Sequence, residues 1–272
     1  MRRGTSVADF KDIHRMRMGA VPNLPEWVDN DPLVSVSFAD SEEKYAVTCK
    51  SIKIPYSYKL LVNDDIDALS KTPASMGQAA GRTVNKVAWA QLTGAETMSD
   101  SVALFSAATG NRKRSNLTTG AITDYGAAIN DMTTKMMLMR GENTPEEEES
   151  DDILSLQPKY IAAPAEERAN ILKEIRSMSP PSDSHAGVAN IENHLIPIIE
   201  PPLSLTSATA LYAFCDPLEC DTIEVTFLHG QESPIVRQWV DDERMALNHA
   251  ILQTFAAKAL NHRGMQKHTG AA

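Results

Sequence analysis

The side chains best suited to chemistry in this sequence are two cysteines late in the chain. Cys215 and Cys220 are separated by four residues that include Pro217. Two thiols at this spacing can pair as a disulfide or supply two ligands to a metal ion, but a structural zinc site needs four ligands. No histidine or cysteine cluster accompanies them. We therefore predict two ordinary reduced cysteines and no metal site.

Two neighbouring carboxylates, Asp64 and Asp65, are a second candidate for metal chemistry. Carboxylate oxygens are ligands that Ca²⁺ and Mg²⁺ prefer, yet no histidine lies near them in the sequence. Aspartates that precede a helix commonly cap its first turn. We interpret both residues as caps of a short helix at 66–69.

Three consecutive cations, Arg112, Lys113 and Arg114, follow Gly110 in a predicted loop at 106–116. Such a loop can contact phosphate, but it lacks the Gly-Lys-Ser/Thr ending of a phosphate-binding loop. Nucleotide binding is therefore not predicted. A nucleic-acid-binding module that uses this basic loop remains an alternative function.

Histidines do not form a catalytic pattern with the other reactive residues. They include His194, His229, His249 and His262, which are spread along the second half of the chain. The sequence contains no Gly-x-Ser-x-Gly, His-Glu-x-x-His or Cys-x-x-Cys motif. We predict that the protein is not an enzyme and assign no catalytic, cofactor-binding or metal-binding residue. A hydrolase that uses Cys215 or His229 remains the other alternative.

Composition limits the class of protein. The 272 residues carry a net charge of −10, and 42% of them are hydrophobic, which is enough for a sizeable core. This charge argues against a surface that binds nucleic acid throughout. Three cysteines are too few for a disulfide framework, and the N-terminal residues lack the apolar core of a signal peptide. No apolar run is long enough to span a membrane. We therefore expect synthesis in a reducing cytoplasm.

The elements that must position these residues begin with a basic segment at 1–27, which we predict to be an irregular arm. Alternating residues at 33–38 and 45–54, around a polar turn at 39–43, predict a hairpin, and strand character continues to residue 62. A long helix then begins with Thr72 as the cap and Pro73 in the first turn, and ends near residue 93.

The rest of the chain is predicted to alternate strands and helices over 102–178 and to consist of strands towards its end. The predicted strands are 102–105, 158–163, 195–199, 210–214, 222–228 and 234–239, and the predicted helices are 123–139 and 164–178. Residues 245–260 have a helical composition, but their context favours a strand. Between these elements, 142–152 holds seven acidic residues and no basic one, which predicts a solvated loop.

Several ordered motifs resemble those of one protein family. They are RRGTSVADFK at 2–11, LLVNDDIDAL at 60–69, the helix that begins at Pro73, VALFSAATGN at 102–111, QPKYIAAP at 157–164, LYAFCDP at 211–217, DTIEVTFLHGQESP at 221–234 and ALNHRGMQKHTG at 259–270. Together they are similar to the major capsid proteins of tailed phages. The likeness is to the capsid half of prohead protease–capsid fusion proteins and to Mu-like head subunits.

The resemblance implies an α+β protein of the Hong Kong 97-type fold. Its expected parts are an N-terminal arm at 1–27, an extended hairpin loop at 28–62, a peripheral domain with the spine helix at 63–100 and 205–272, and an axial domain at 101–204. The chain would assemble with copies of itself into hexamers and pentamers of an icosahedral shell in the virion. Portal, scaffold, maturation protease and decoration proteins are further partners that it implies, and packaged DNA would lie against the inner face without sequence specificity. No cofactor and no membrane partner is expected.

Three further expectations follow. The hairpin at 28–58 should pack on an adjacent subunit and be mobile in the free protein, so deletion of 33–45 should spare the core and abolish shells. The acidic loop at 142–152 should face the exterior or a capsomer axis, because DNA would repel it. Residues 1–272 should be the mature shell domain, with an upstream region removed or encoded separately.

Overall fold

The computed structural model describes two compact units of the chain. The described residues are 1–18, 26–27, 32–33, 40–63, 68–93, 96–108, 112, 114–141, 153–176 and 191–271. Unit 1 comprises Met1–Ile13, Tyr45–Gln91 and Glu224–Lys258, and unit 2 comprises His14–Lys44, Leu92–Ile223 and Ala259–Ala272. Among the described residues, no helix combines the length and the apolar content needed to cross a membrane.

The described residues form five α-helices and twelve strands. The helices are α1 (Tyr58–Val62), α2 (Ala68–Thr93), α3 (Tyr125–Met137), α4 (Arg168–Arg176) and α5 (Pro201–Ser204), with a 3₁₀ turn at Ile191–His194. The strands are β1 (Arg2–Arg3), β2 (Ile13–Met18), β3 (Asp40–Tyr45), β4 (Thr48–Ser57), β5 (Leu117–Ala121), β6 (Pro158–Ala163), β7 (Ile196–Ile199), β8 (Leu211–Cys215), β9 (Ile223–Phe227), β10 (Ile235–Asp241), β11 (Ala246–Ala259) and β12 (Met265–Gly270).

Unit 1 is organised by the long strand β11. Strand β4 pairs antiparallel with β11 from Ser57 opposite Ala246 to Thr48 opposite Phe255. Strand β10 pairs antiparallel with residues 246–252 of β11, and β9 also lies beside β11 in this five-stranded sheet. The predicted extended state of 245–260 is confirmed, because neighbouring strands on both sides satisfy its backbone and outweigh a local preference for helix.

The predicted irregular arm is wrong for two of its segments. β1 pairs in parallel with β9, and β2 pairs with β3. Val7 and Ile13 also pack against the apolar cluster of unit 1, which contains Val47. The sequence signal is weak because backbone hydrogen bonds, rather than alternating apolar side chains, hold β1 in place.

The hairpin prediction is wrong in two respects. Residues 40–43, predicted as part of a turn, belong to β3, and β4 pairs with β11 of the same chain, whereas the expected support of the hairpin was an adjacent subunit. Residues 34–39, which include most of the first predicted hairpin strand, lie outside the described residues. The expected deletion of 33–45 would not spare the core, because Glu43 is buried and Tyr45 packs against the unit 1 cluster.

The long helix is confirmed, with an earlier beginning than predicted. α2 starts at Ala68, so Pro73 lies inside it, and Thr72 is a buried side chain bonded to Tyr56 rather than a cap. The preceding segment 58–62, predicted as extended, is the short helix α1, whose first turn is capped by Ser57. The Ser57 hydroxyl accepts from the N–H of Leu60 at 3.4 Å, so the strand pattern ends at a helix cap.

Unit 2 contains a five-stranded sheet in the order β5-β12-β8-β6-β7. Helix α3 packs on β12 and β8, and α4 packs on α3 and β7. The core between them joins Met132 and Met136 of α3, Ile171 and Ile175 of α4, and Ile161 of β6, with further apolar residues around these five. The methionine-rich stripe of α3 therefore packs in the core, as unbranched flexible side chains commonly do.

The sequence predictions for unit 2 are largely confirmed. The strand at 158–163 has the predicted bounds, and α3 begins behind Asp124, whose side chain accepts from the N–H groups of Gly126 and Ala127. The predicted helix at 164–178 is shorter, since α4 begins at Arg168. Residues 102–105 are not a strand; they make one isolated bridge, between Ala103 and Thr97. The strands β5 and β12 were not predicted.

Candidate assembly surface

An exposed apolar surface lies on one face of the β10–β11–β4 sheet in unit 1. Val236, Ile251 and Ile52 stand side by side across the three strands, and Val240 lies on the same face of β10. Paired residues of neighbouring strands share a face, so Val236, Ile251 and Ile52 form one row, and Val240 lies further along the same face of β10, beyond Gln238. Ile52 is 54% exposed and Val240 is 62% exposed, whereas Ile251 is buried. We call Ile52, Val236 and Val240 the apolar sheet face.

Helix α1 continues the exposed apolar character of β4. Tyr58, Leu60 and Val62 are all exposed although α1 directly follows the strand. Large apolar side chains that are exposed singly are ordinary, but three in one short helix that follows a strand with exposed Ile52 are typical of a surface that contacts another protein.

The same strand is fixed to the rest of unit 1 by Tyr56. Its hydroxyl forms a hydrogen bond with Thr72 of α2, and its ring packs edge-on against His249 with 5.6 Å between centroids. His249 is buried, and neither ring nitrogen has a hydrogen-bond partner among the described residues. Tyr56 therefore joins β4, β11 and α2 on the same face of the strand as Ile52, which lies four residues earlier.

The opposite face of this sheet is more polar. Lys53 and Arg237 flank Ala250 of the central strand. The Lys53 ammonium lies 5.8 Å from the centre of the Trp239 ring, which is a cation–π contact. The two faces of the sheet therefore differ in character.

The predicted basic loop does not present its first cation to a ligand. The Arg112 side chain is 2% exposed and its Nε lies 2.8 Å from a carboxylate oxygen of Asp100. Arg112 also donates to the carbonyl oxygens of Ala103 and Leu104. Lys113 lies outside the described residues, and Arg114 is half-buried. The guanidinium of Arg112 is buried and already bonded to Asp100 and to two backbone carbonyl groups. The structure therefore does not support phosphate binding by this guanidinium.

Asn116 completes the same loop. Its side chain donates to the carbonyl oxygen of Leu104 at 2.8 Å and accepts from the backbone N–H of Ser106 at 2.9 Å. These bonds take backbone groups that a strand at 102–105 would have used, which explains why that predicted strand is absent.

The two cysteines predicted from sequence are brought together. Cys215 ends β8, Cys220 follows the next turn, and both are buried free thiols. A hydrogen bond with Cys220 and burial raise the pKa of Cys215 well above its usual range. A nucleophile needs a lowered pKa, an accessible position or a neighbouring base, so the geometry does not favour a hydrolase that uses Cys215.

The histidines are not brought together. His229 lies at the surface of unit 1, where Nδ1 is 3.3 Å from Oγ of Ser6, and His249 packs on Tyr56. His194 and His262 belong to unit 2. Among the described residues no group of three or more His, Cys, Asp or Glu side chains is arranged to hold a metal ion. Asp64, Asp65 and the acidic run at 142–152 lie outside the described residues.

The chain belongs to a family of phage capsid proteins, because the family model for a phage capsid protein matches residues 41–268. This match covers both units. The protein is therefore a structural major capsid protein of a bacteriophage virion. No curated protein sequence matches the chain.

Solved phage capsid structures share the fold across almost the whole chain. A structure from Mycobacterium phage Adephagia has a TM-score of 0.61 at 11% identity and covers 98% of this chain and 87% of that chain. The capsid of cyanophage P-SCSP1u gives 0.62 at 11% identity, with 98% and 85% covered. The mature capsid of bacteriophage PhiM1 gives 0.58 at 10% identity, with 97% and 84% covered. The fold is the Hong Kong 97-type capsid fold expected from the sequence.

Proposed function

We propose that this chain assembles with copies of itself into hexamers and pentamers of an icosahedral shell that encloses the phage genome. The observation that carries the proposal is the phage capsid family match over residues 41–268. The apolar sheet face supports it, because a shell subunit must bury apolar surface against its neighbours. The resemblance to fusion-type and Mu-like capsid subunits is part of the same proposal.

The regions take the roles that the capsid resemblance implies. Residues 1–27 are the N-terminal arm, 28–62 the extended loop, 63–100 and 205–272 the peripheral domain and 101–204 the axial domain. The described part of 101–204 lies within unit 2, in keeping with one domain, although this unit also contains 205–223 and 259–272. Strand β4 anchors the base of the extended loop on β11, and the loop before it reaches a neighbouring subunit.

The partners follow from a shell role. Portal, scaffold, maturation protease and decoration proteins would contact the assembled shell, and DNA would meet its inner face without sequence specificity. The run at 142–152, with its seven acidic residues, would face the exterior or a capsomer axis. The chain is made in the host cytoplasm, binds no cofactor or membrane and performs no catalysis.

Two neighbouring residues of β4 provide a matched test of the apolar sheet face. Ile52 and Ser51 are both exposed and lie on opposite faces of the same strand. We expect Ile52→Lys to raise the protein concentration needed for assembly by about tenfold or more, because it prevents burial worth about 2 kcal/mol. Ser51→Lys adds the same charge nearby and should assemble at nearly the wild-type concentration.

Assembly of both variants is measured by sedimentation velocity over a series of protein concentrations, and thermal unfolding of the unassembled protein shows that each variant is folded. If Ile52→Lys assembles at the wild-type concentration, this face is not a subunit contact. If neither variant nor the wild type forms particles larger than an oligomer of a few subunits, the shell proposal itself fails.

A further inference from the structure

A buried pair of thiols lies where two turns of unit 2 meet. Cys215 and Cys220 both face Gly264: a Cβ atom placed on this glycine would lie 2.5 Å from Sγ of Cys215 and 3.1 Å from Sγ of Cys220. The Cys215 sulfur also lies 3.6 Å from the carbonyl oxygen of Cys220. The two sulfur atoms therefore occupy neighbouring positions, and only a residue without a side chain fits beside them.

The backbone holds the two cysteines in this arrangement. The N–H groups of Glu219 and Cys220 both donate to the carbonyl oxygen of Asp216, at 2.9 and 3.1 Å, and close a tight turn after β8. The N–H of Cys215 donates to the carbonyl oxygen of Gly264 at 3.0 Å. The turn returns Cys220 towards Cys215, which is the approach that a disulfide requires.

We propose that Cys215 and Cys220 are a redox-responsive dithiol that closes into an intramolecular disulfide when the protein leaves a reducing compartment and meets a peroxide. The proposal does not depend on the shell role, because it concerns two side chains of one folded unit. Cys49 belongs to unit 1 and is exposed.

The surroundings give the two thiols different parts in the reaction. A hydrogen bond from Cys215 lowers the pKa of Cys220, and the positive charge of Arg263 lowers it further, although burial opposes both. Cys220 is also the less buried of the two thiols, 9% exposed against 0% for Cys215, so Cys220 attacks first as the thiolate. The pKa of Cys215 is raised, so this residue keeps its proton. Nucleophilic sulfur is the thiolate form.

Oxidation of the dithiol by hydrogen peroxide takes two steps. The Cys220 thiolate attacks one oxygen of hydrogen peroxide, the O–O bond breaks, and sulfenic acid and hydroxide form. The Cys215 sulfur then attacks the sulfenic sulfur as its proton passes to the departing hydroxyl, so that the S–S bond forms and water leaves. Overall, two thiols are oxidised and one peroxide is reduced to two waters. A thiol reductant reverses the result by exchange.

The disulfide would connect the end of β8 to the residue that leads into β9, beside the turn before β12. Strands β8 and β12 pair with each other in the sheet of unit 2. A covalent link here restricts the unfolded chain. Oxidation is therefore expected to raise the thermal unfolding temperature of the whole chain, and reduction should restore the original value.

The test uses the full chain with Cys49→Ser, which removes the exposed thiol. We expect hydrogen peroxide followed by an alkylating agent under denaturing conditions to give a protein about 2 Da lighter than the reduced chain and with no alkylated cysteine. Peptide mapping without reduction should join the peptides that contain Cys215 and Cys220. Dithiothreitol should restore both alkylation sites and lower the unfolding temperature to its starting value.

Two single variants in the same background separate the roles. With Cys215→Ser, peroxide should leave a sulfenic acid at Cys220 that dimedone captures, whereas Cys220→Ser should react much more slowly at Cys215. Because either variant can be less stable, the reversible mass change of the Cys49→Ser protein is the primary result. The proposal is overturned if that protein keeps two alkylatable cysteines after peroxide treatment, or if Cys220 is converted to sulfinic acid while Cys215 stays reduced.

Discussion

Arg112 organises the loop that follows the long helix. Its guanidinium contacts Asp100 and the carbonyl oxygens of Ala103 and Leu104, and its side chain is almost fully buried. Removing one partner of a buried ion pair leaves the other charge and the carbonyl groups without compensation. The residue thus acts in folding, and not in binding phosphate as the sequence alone allowed.

The first prediction concerns this ion pair. We expect Arg112→Ala to lower the free energy of unfolding by about 3 kcal/mol, because Asp100 would remain without its cation. Urea unfolding followed by circular dichroism measures the change. Arg114→Ala removes a half-buried cation two positions away and serves as the control, with an expected loss of about 0.5 kcal/mol or less. Equal losses for the two variants would show that Arg112 has no special structural role.

The ionisation of Tyr212 makes the free energy of unfolding depend on pH in the alkaline range. Burial raises its pKa to about 12, from an ordinary value of about 10. The raised pKa means that the folded state favours the neutral phenol. The contribution of neutral Tyr212 to the free energy of unfolding is fully present below the pKa that this residue has in the unfolded chain. It is lost as the pH rises from about 10 to about 12, through the pKa of Tyr212 in the folded state.

We therefore expect Tyr212→Phe to lose less stability than the wild type between pH 10 and 12, by up to about 3 kcal/mol, because a pKa difference of one unit corresponds to about 1.4 kcal/mol. Denaturant unfolding at a series of pH values measures this difference. Tyr125, whose pKa is also raised to about 12 by burial and by Glu167, remains in both proteins. Parallel pH profiles of the two proteins would contradict the assignment.

At the scale of elements, Gly4 decides how the arm joins the sheet. Its N–H donates to the carbonyl oxygen of Val225 at 2.9 Å, and an added Cβ would lie 2.1 Å from Oε1 of Glu224. Glu224 is buried and accepts a hydrogen bond from the Tyr45 hydroxyl at 3.0 Å. The carboxylate therefore cannot move away without losing this bond.

The prediction is that Gly4→Ala separates β1 from β9. Hydrogen exchange of the amides at 2–7 should become at least about tenfold faster, because the change forces a shift worth more than 1.4 kcal/mol. Gly81→Ala is a suitable control, since an added Cβ on this glycine of α2 meets no atom within 4 Å. It should leave exchange in the arm unchanged. Unaltered exchange in Gly4→Ala would show that the close approach is not required.

The spacing of apolar residues and the capping residues predicted those elements that are stabilised mainly by their own side chains. The bounds of β6 agree with the sequence because apolar residues and flanking prolines define it, and α3 has a clear aspartate cap. Elements held by backbone pairing alone were missed: β1 and β3 have no alternating apolar pattern, and β5 contains Gly120. Their partners are distant in the sequence, so no local pattern indicates them.

The candidate assembly surface was only partly predictable. Sequence indicated strands at β4 and β10, but the common face of Ile52, Val236 and Val240 depends on the register of both strands with β11. A shift of one residue in either strand would move its apolar residues to the other face. The same holds for Arg112, whose burial follows from the loop conformation.

At the scale of the molecule, each of the two units has its own apolar cluster. Unit 1 presents exposed apolar residues on a supported sheet, and unit 2 encloses a core built on β6 and β8. The family match covers both units. Family membership and the exposed face thus support one account, in which the subunit folds by itself and buries the rest of its apolar surface against its copies.

The most direct test is electron microscopy of particles formed by the purified full chain over a range of concentrations. We predict closed shells of uniform size whose capsomers show sixfold and fivefold symmetry, with assembly that rises steeply with protein concentration. The Ile52→Lys protein at the same concentration should remain as small species. Wild-type protein that stays monomeric at every concentration, or that forms only irregular aggregates without capsomer symmetry, would contradict the account.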